Sequence, residues 1–167
     1  VPADLNKLCE EHFEMFSSLN KDIKLHREYE EDLLSAEVDI VQIGQVLLNL
    51  YINAREAMPE GGELIIKTEN ILLGENFVKP YNLKPGGFIK NSLANTGTGM
   101  DEDVLQSVFE PFFTTKGACG GMGIGLASAY GIISNHNGII NVSSKKGFGT
   151  TFNIFLPVID GKSSIAL

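Results

Sequence analysis

The chain has 167 residues, 43% of them hydrophobic, with 21 acidic against 13 basic side chains and a net charge of -8. That size and apolar share fit one compact domain with its own core. The acidic balance repels a phosphate backbone and argues against a nucleic-acid partner, and no apolar run reaches the roughly 18 residues of a membrane span.

No secretory signal stands at the start, and no membrane contact is expected of this fragment. Cys9 and Cys119 lie far apart and form no motif. A disulfide framework is therefore not expected, and a reducing, cytoplasmic setting is. The chain opens at Val1-Pro2 without an initiator Met and reads as a piece of a longer protein. One domain over residues 1–158 and a short polar tail or linker over 159–167 are expected.

Asp4 to Ser18 reads as a helix, with Leu5, Leu8, His12 and Phe16 on one stripe. Ile23, Leu25 and Arg27 alternate with Lys24, His26 and Glu28, a strand pattern. The acidic cluster Glu28, Glu30, Glu31 and Asp32 reads as a solvated loop. Asp39 opens a second helix, with Gln42 three residues on at capping-box spacing. Ile43, Val46, Leu47, Leu50, Ala54 and Ala57 form its buried stripe, and Pro59 with Gly61-Gly62 stops it.

Strands follow over 63–73 and 87–95, with a surface loop carrying Pro80 and Pro85 between them. Residues 101–109 form a short helix with Val104, Leu105 and Val108 inward. Residues 110–122 are rich in Gly and Thr and lack a core pattern. Ile124 to His136 is helical and ends at Asn137-Gly138. Strands over 139–144 and 150–156 flank a Lys145–Gly149 turn, a hairpin signal. The pattern predicts an α/β (α+β) fold: a two-layer sandwich with a mixed sheet of about five strands and about three helices packed on one face.

Four features carry chemistry. Asn49 and Asn53 stand four apart, so both carboxamides share one helix face. An Asn oxygen at Asn53 suits a hard cation such as Mg²⁺ beside phosphates. Glu56, three residues later, is positioned to support it. Gly121, Gly123 and Gly125 lead into a helix, where free amides and the helix dipole favour an anion. Asn95-Thr96-Gly97-Thr98-Gly99 is a second glycine loop, after a strand. Phe112 and Phe113 are positioned to anchor the segment that carries Lys116. Together the carboxamide pair and the glycine loops point to ATP with a metal ion.

The ordered set Asn49…Asn53, Asn95-x-Gly97-x-Gly99, Phe109-Glu110-Pro111-Phe112-Phe113 and Gly121-x-Gly123-x-Gly125 resembles the ATP-binding catalytic domain of sensor histidine kinases, in the GHKL superfamily. The likeness runs from about Asp4 to Pro157, and Gly149-Thr150-Thr151-Phe152 matches the family's last core strand. The resemblance implies that Asn53 is the Mg²⁺ ligand and that Asn49 supports it near the phosphates. It implies that Asn95 contacts the adenine amino group, with Gly97, Gly99 and Met100 shaping the base pocket and Thr150 against the base. Thr114 to Gly120, with Thr115 and Lys116 among them, would form a lid over ATP anchored by Phe112 and Phe113, Lys116 reaching the terminal phosphate. Gly121, Gly123, Ile124, Gly125 and Leu126 would hold the phosphates.

In that family the γ-phosphoryl passes to a histidine on a separate dimerisation domain, usually of a homodimer, and then to an aspartate of a response-regulator receiver. His12, His26 and His136 lack the context of a phospho-acceptor, so this chain is not expected to phosphorylate itself.

Two residues depart from expectation. The family's first glycine box begins with Asp, where this chain has Asn95. A carboxamide makes a weaker bond to the adenine amine than a carboxylate, and it can turn its amide to donate to a guanine oxygen. Weakened ATP binding and relaxed discrimination against GTP are expected. Asn91 faces inward with Ile89 and Leu93 and needs a partner or a bulge. A nucleotide-binding regulatory module with weakened ATP affinity is therefore an alternative to an active kinase domain. A hydrolysing ATPase of the gyrase, mismatch-repair or chaperone type ranks third. Those proteins resemble one another in using Glu as a base where this chain has Asn49, and a carboxamide cannot take a proton.

Overall fold

The computed structural model describes residues 2–108 and 122–159. Its elements in order are β1 (Pro2–Ala3), α1 (Leu5–Leu19), β2 (Ile23–Glu28), β3 (Ala36–Glu37), α2 (Ile40–Ala57), β4 (Gly62–Leu73), α3 (Glu75–Val78), a 3-10 turn (Lys79–Tyr81), β5 (Gly86–Asn95), α4 (Glu102–Ser107), α5 (Met122–Asn135), β6 (Ile139–Lys145) and β7 (Gly149–Pro157). Five strands form a mixed sheet in the order β2-β4-β5-β7-β6. Only β2 and β4 run parallel; the other neighbours are antiparallel. The expected two-layer sandwich is what the chain forms.

The strand period explains the layers. Ile89, Asn91, Leu93 and Asn95 of β5 share one face with Leu64 and Ile66 of β4 and with Thr150, Phe152 and Ile154 of β7. That face packs under α1, α2 and α5 around Val46, Leu47, Leu50, Ala129 and Ile133 in one buried cluster.

The helix ends follow capping chemistry. Asp39 accepts from the backbone N–H of Val41 and of Gln42, which starts α2. The second half of a capping box is not made by Gln42. The Asp39 N–H donates instead to His136 Nε2, 3.1 Å away, while His136 Nδ1 bonds the Ile132 carbonyl at 2.8 Å. Nε2 accepts, so Nδ1 carries the proton. His136 thus ties the end of α5 to the start of α2. Asn137 follows at φ 59, a left-handed position that Asn tolerates.

Two expectations need correction. Residues 74–86 are not a bare loop: α3 and the 3-10 turn bury Val78 on the sheet's outer face with Leu73, Phe88, Ile139 and Phe155. Phe77 meets Phe155 edge-on at 5.3 Å. Pro80 hides this, because Pro is accommodated in the opening positions of a helical turn. The small antiparallel pair β1–β3 was also not expected. Asn91 sits in an unbulged strand, buried, and its Nδ2 donates to Cys9 Sγ of α1 at 3.0 Å.

Candidate functional site

The site is built on the middle of α2. Asn49 is 7% exposed, and both ends of its amide are used. Gln45 Nε2 donates to Asn49 Oδ1 at 3.0 Å, and Asn49 Nδ2 donates to the Gly125 carbonyl at 2.9 Å. Gln45, one turn before, fixes which way the amide points. Asn49 is therefore a strut between α2 and the first turns of α5, two helices that pack along each other. Sequence reasoning missed Gln45, although i, i+4 spacing from Asn49 was its available signal.

Asn53 lies one turn later, half-buried. Its carboxamide makes no hydrogen bond among the described residues. No group of three His, Cys, Asp or Glu that could hold a metal occurs among the described residues. A single carboxamide oxygen fits a hard cation that takes most of its ligands from phosphates and water. Glu56 is half-buried beside the groove between α1 and α2, which Leu48, Ile52 and Arg55 also line.

The segment 95–100 is clamped from two sides. Towards α2, the Thr98 N–H donates to the Ala57 carbonyl at 3.1 Å. Thr96 Oγ1 accepts from the Glu63 N–H at 3.0 Å. A side chain at Gly97 would place its Cβ 2.5 Å from the Ala57 carbonyl oxygen, so only glycine lets the loop lie on the end of α2. Towards the hairpin, the Gly147 N–H donates to the Thr98 carbonyl at 2.7 Å, and Gly99 packs against Lys145.

Ser144 is the hub of the hairpin side. Its Oγ accepts from the Met100 N–H at 2.7 Å and donates to the Gly149 carbonyl at 2.9 Å. That uses its one proton, so the Thr150 hydroxyl, 2.8 Å away, is the donor to Ser144. Thr150 is 5% exposed and stands directly across from Asn95 in the β5–β7 register. Gly149 sits at φ 93, and a Cβ there would run into the Asn95 carbonyl. Ser144 was not expected from the sequence, since a Ser in a strand carries no distinctive signal. Asn95 itself is 6% exposed, and its Oδ1 accepts from the Gly97 N–H at 2.9 Å.

The structure thus brings Asn49, Asn53, Gly125, Asn95, Gly97, Gly99, Met100 and Thr150 to one end of the sandwich, between α2, α5 and the ends of β5 and β7. Leu126 is buried in the core below. Helix α5 begins at Met122, earlier than expected, so Gly123, Ile124 and Gly125 are its first turns rather than the loop before it. Phe113, Thr115, Lys116 and Gly121, together with Cys119 and the Phe109–Phe113 box, lie outside the described residues.

Residues 38–160 match the family described as histidine kinase-, DNA gyrase B-, and HSP90-like ATPase. The chain belongs to that family. It is 44% identical over 140 residues to the sensor kinase CckA of Brucella abortus (strain 2308), covering 83% of this chain and 15% of that protein. It is 32% identical over 158 residues to the sensor histidine kinase ZraS of Escherichia coli (strain K12), covering 93% of this chain and 30% of that protein. The chain therefore spans less than a third of either relative.

Among solved structures, a nucleotide-free catalytic domain of histidine kinase ThkA superposes with a TM-score of 0.76 at 29% identity, over 95% of this chain and 97% of that one. ThkA in complex with the response regulator TrrA superposes with a TM-score of 0.74 at 27% identity, over 95% of this chain and 42% of that one. The GHKL-type fold and the histidine kinase class expected from the motifs are thereby established. The chain is the catalytic ATP-binding type of domain found in two-component sensor kinases.

Proposed function

We propose that residues 1–158 bind a nucleoside triphosphate with Mg²⁺ at the end of the sandwich and present its γ-phosphoryl to a histidine on a separate dimerisation domain. A response-regulator aspartate is then the final acceptor, and the homodimer forms through the dimerisation domain of the full-length protein. The named sensor kinases and the ThkA–TrrA complex support this reading. It places the domain on the cytosolic side, where ATP is available. Among the described residues no helix is long and apolar enough to cross a membrane.

The observation that carries it is the Asn49 strut. By tying α2 to the first turns of α5, it supports a role for Asn53, one turn further along α2, towards the start of that helix. Phosphoryl transfer asks the protein for positioning and charge neutralisation. Asn53 Oδ1 would hold the cation, and the first turn of α5 would hold phosphate oxygens with its backbone amides. Bound Mg²⁺ supplies charge neutralisation on the phosphates. Thr150, Gly97 and Met100 would border the base, and Lys116 is assigned to the terminal phosphate. Asn49 has neither a carboxylate nor a free amide end, so it cannot activate water.

The test supplies a histidine-bearing dimerisation domain and γ-labelled ATP or GTP at saturating concentration. Acid-labile label is expected on the supplied domain and not on this chain alone. Asn53→Ala should reduce transfer by roughly 100-fold or more. Stable labelling of the isolated chain would remove the division of labour. Asn95 favours one second reading, a regulatory module that binds nucleotide without transfer. Binding without any label on the acceptor would select it.

A further inference from the structure

Asn95 is the one site residue whose chemistry differs from the family pattern, and the structure fixes its orientation. Its Oδ1 accepts from the Gly97 N–H at 2.9 Å. Turning the amide over would set an NH₂ group against that N–H, two donors facing each other. The oxygen is therefore committed to the backbone, and Nδ2 is the free end. Nδ2 bonds no described residue. Asn95 is nevertheless 94% buried, and it stands across from Thr150 in the β5–β7 register. A buried donor left unpaired is costly, so the group is completed by an acceptor on whatever binds at this end of the strand pair.

We propose that Asn95 gives this chain's base pocket a preference for 6-oxopurine nucleotides, guanine or hypoxanthine, over adenine. The inference rests on the nucleotide-site reading above and sharpens it. Adenine carries an amino donor at C6, which would face the Asn95 NH₂ as donor against donor. Guanine and hypoxanthine carry a carbonyl oxygen at C6, which accepts from it. The sequence alone left the amide free to turn to suit either base. The Gly97 bond removes that freedom, so the outcome is a preference rather than relaxed discrimination. The exchange of a repulsive contact for a hydrogen bond predicts a ratio of roughly tenfold or more.

The experiment is calorimetric titration of the chain, with Mg²⁺, by the non-hydrolysable β,γ-imido analogues of ATP, GTP and ITP. Wild type should bind the guanine and inosine analogues roughly tenfold or more tighter than the adenine analogue. Asn95→Asp, which keeps an oxygen for the Gly97 N–H, should reverse the order. Tighter adenine binding by wild type overturns the proposal even if the variant fails to fold, and leaves the nucleotide site standing. An Asn95→Asp preference identical to wild type also overturns it. So does a preference for guanine that inosine does not share, because that would arise at the 2-amino group. If none of the three binds either protein, the nucleotide-site reading falls and the proposal falls with it.

Discussion

Single side chains at this site do two kinds of work, and burial separates them. Asn49 and Asn53 look alike in the sequence, four apart on one face. In the fold one is a saturated strut, and the other's carboxamide bonds no described residue. Gln45→Met keeps volume but removes the donor to Asn49 Oδ1, which leaves a buried acceptor unpaired. Unfolding free energy, from urea titration, is expected to fall by about 1–3 kcal/mol.

Away from the site, burial pushes the Cys9 thiol up from its ordinary value of 9.0 to about 12, although the bond from Asn91 opposes this. Above pH 9 the unfolded chain loses this proton while the folded chain keeps it. The unfolded state then binds fewer protons, so stability is complete below pH 9 and falls as pH rises towards 12. The slope from this one group is at most about 1.4 kcal/mol per pH unit. Burial also raises Tyr29 and Tyr51 above 10.0, which adds a similar loss at still higher pH. Urea midpoints at pH 8, 9 and 10 should decline for wild type and decline less for Cys9→Ala, which starts lower because Asn91 Nδ2 loses its partner. An equal decline in both would contradict the assignment. The position of Asn91 was legible from strand alternation. Its partner was not, because Cys9 is 82 residues away.

Elements show where sequence patterns stop being informative. Helices α1, α2 and α5 and strands β4, β5 and β7 were readable because their apolar periods are long. The two-residue strands β1 and β3 carry no period at all. Helix α3 was hidden because four residues give a single turn, and its burial depends on a sheet face formed elsewhere. The link from His136 to the Asp39 N–H joins positions 97 apart and has no local signature.

The loop between β5 and α4 gives a sharp contrast of glycines. Gly97→Ala should drive the loop off the Ala57 carbonyl and abolish nucleotide binding, measured by titration, while the fold persists in circular dichroism. Gly131, inside α5, has nothing within 4 Å of an added Cβ among the described residues. Gly131→Ala should stabilise the domain by roughly 0.5–1 kcal/mol through helix propensity, seen as a higher Tm. A lower Tm would show that α5 needs that glycine.

At the scale of the whole molecule, the ordered motifs identified the family, but the strand order did not follow from them. The parallel β2–β4 edge and the placement of β7 between β5 and β6 come from which faces can be buried together, a property of the complete sheet. That topology brings four distant stretches, around Asn53, Asn95, Gly125 and Thr150, to one end. Their convergence marks that end as the candidate site.

The most direct measurement is a crystal structure of the chain with Mg²⁺ and a non-hydrolysable nucleoside triphosphate. Asn53 Oδ1 is expected on the cation at about 2.1 Å, with the triphosphate against the first turn of α5 and the base between Asn95 and Thr150. A triphosphate bound elsewhere, or bound here with Asn53 turned away from the cation, would contradict the account.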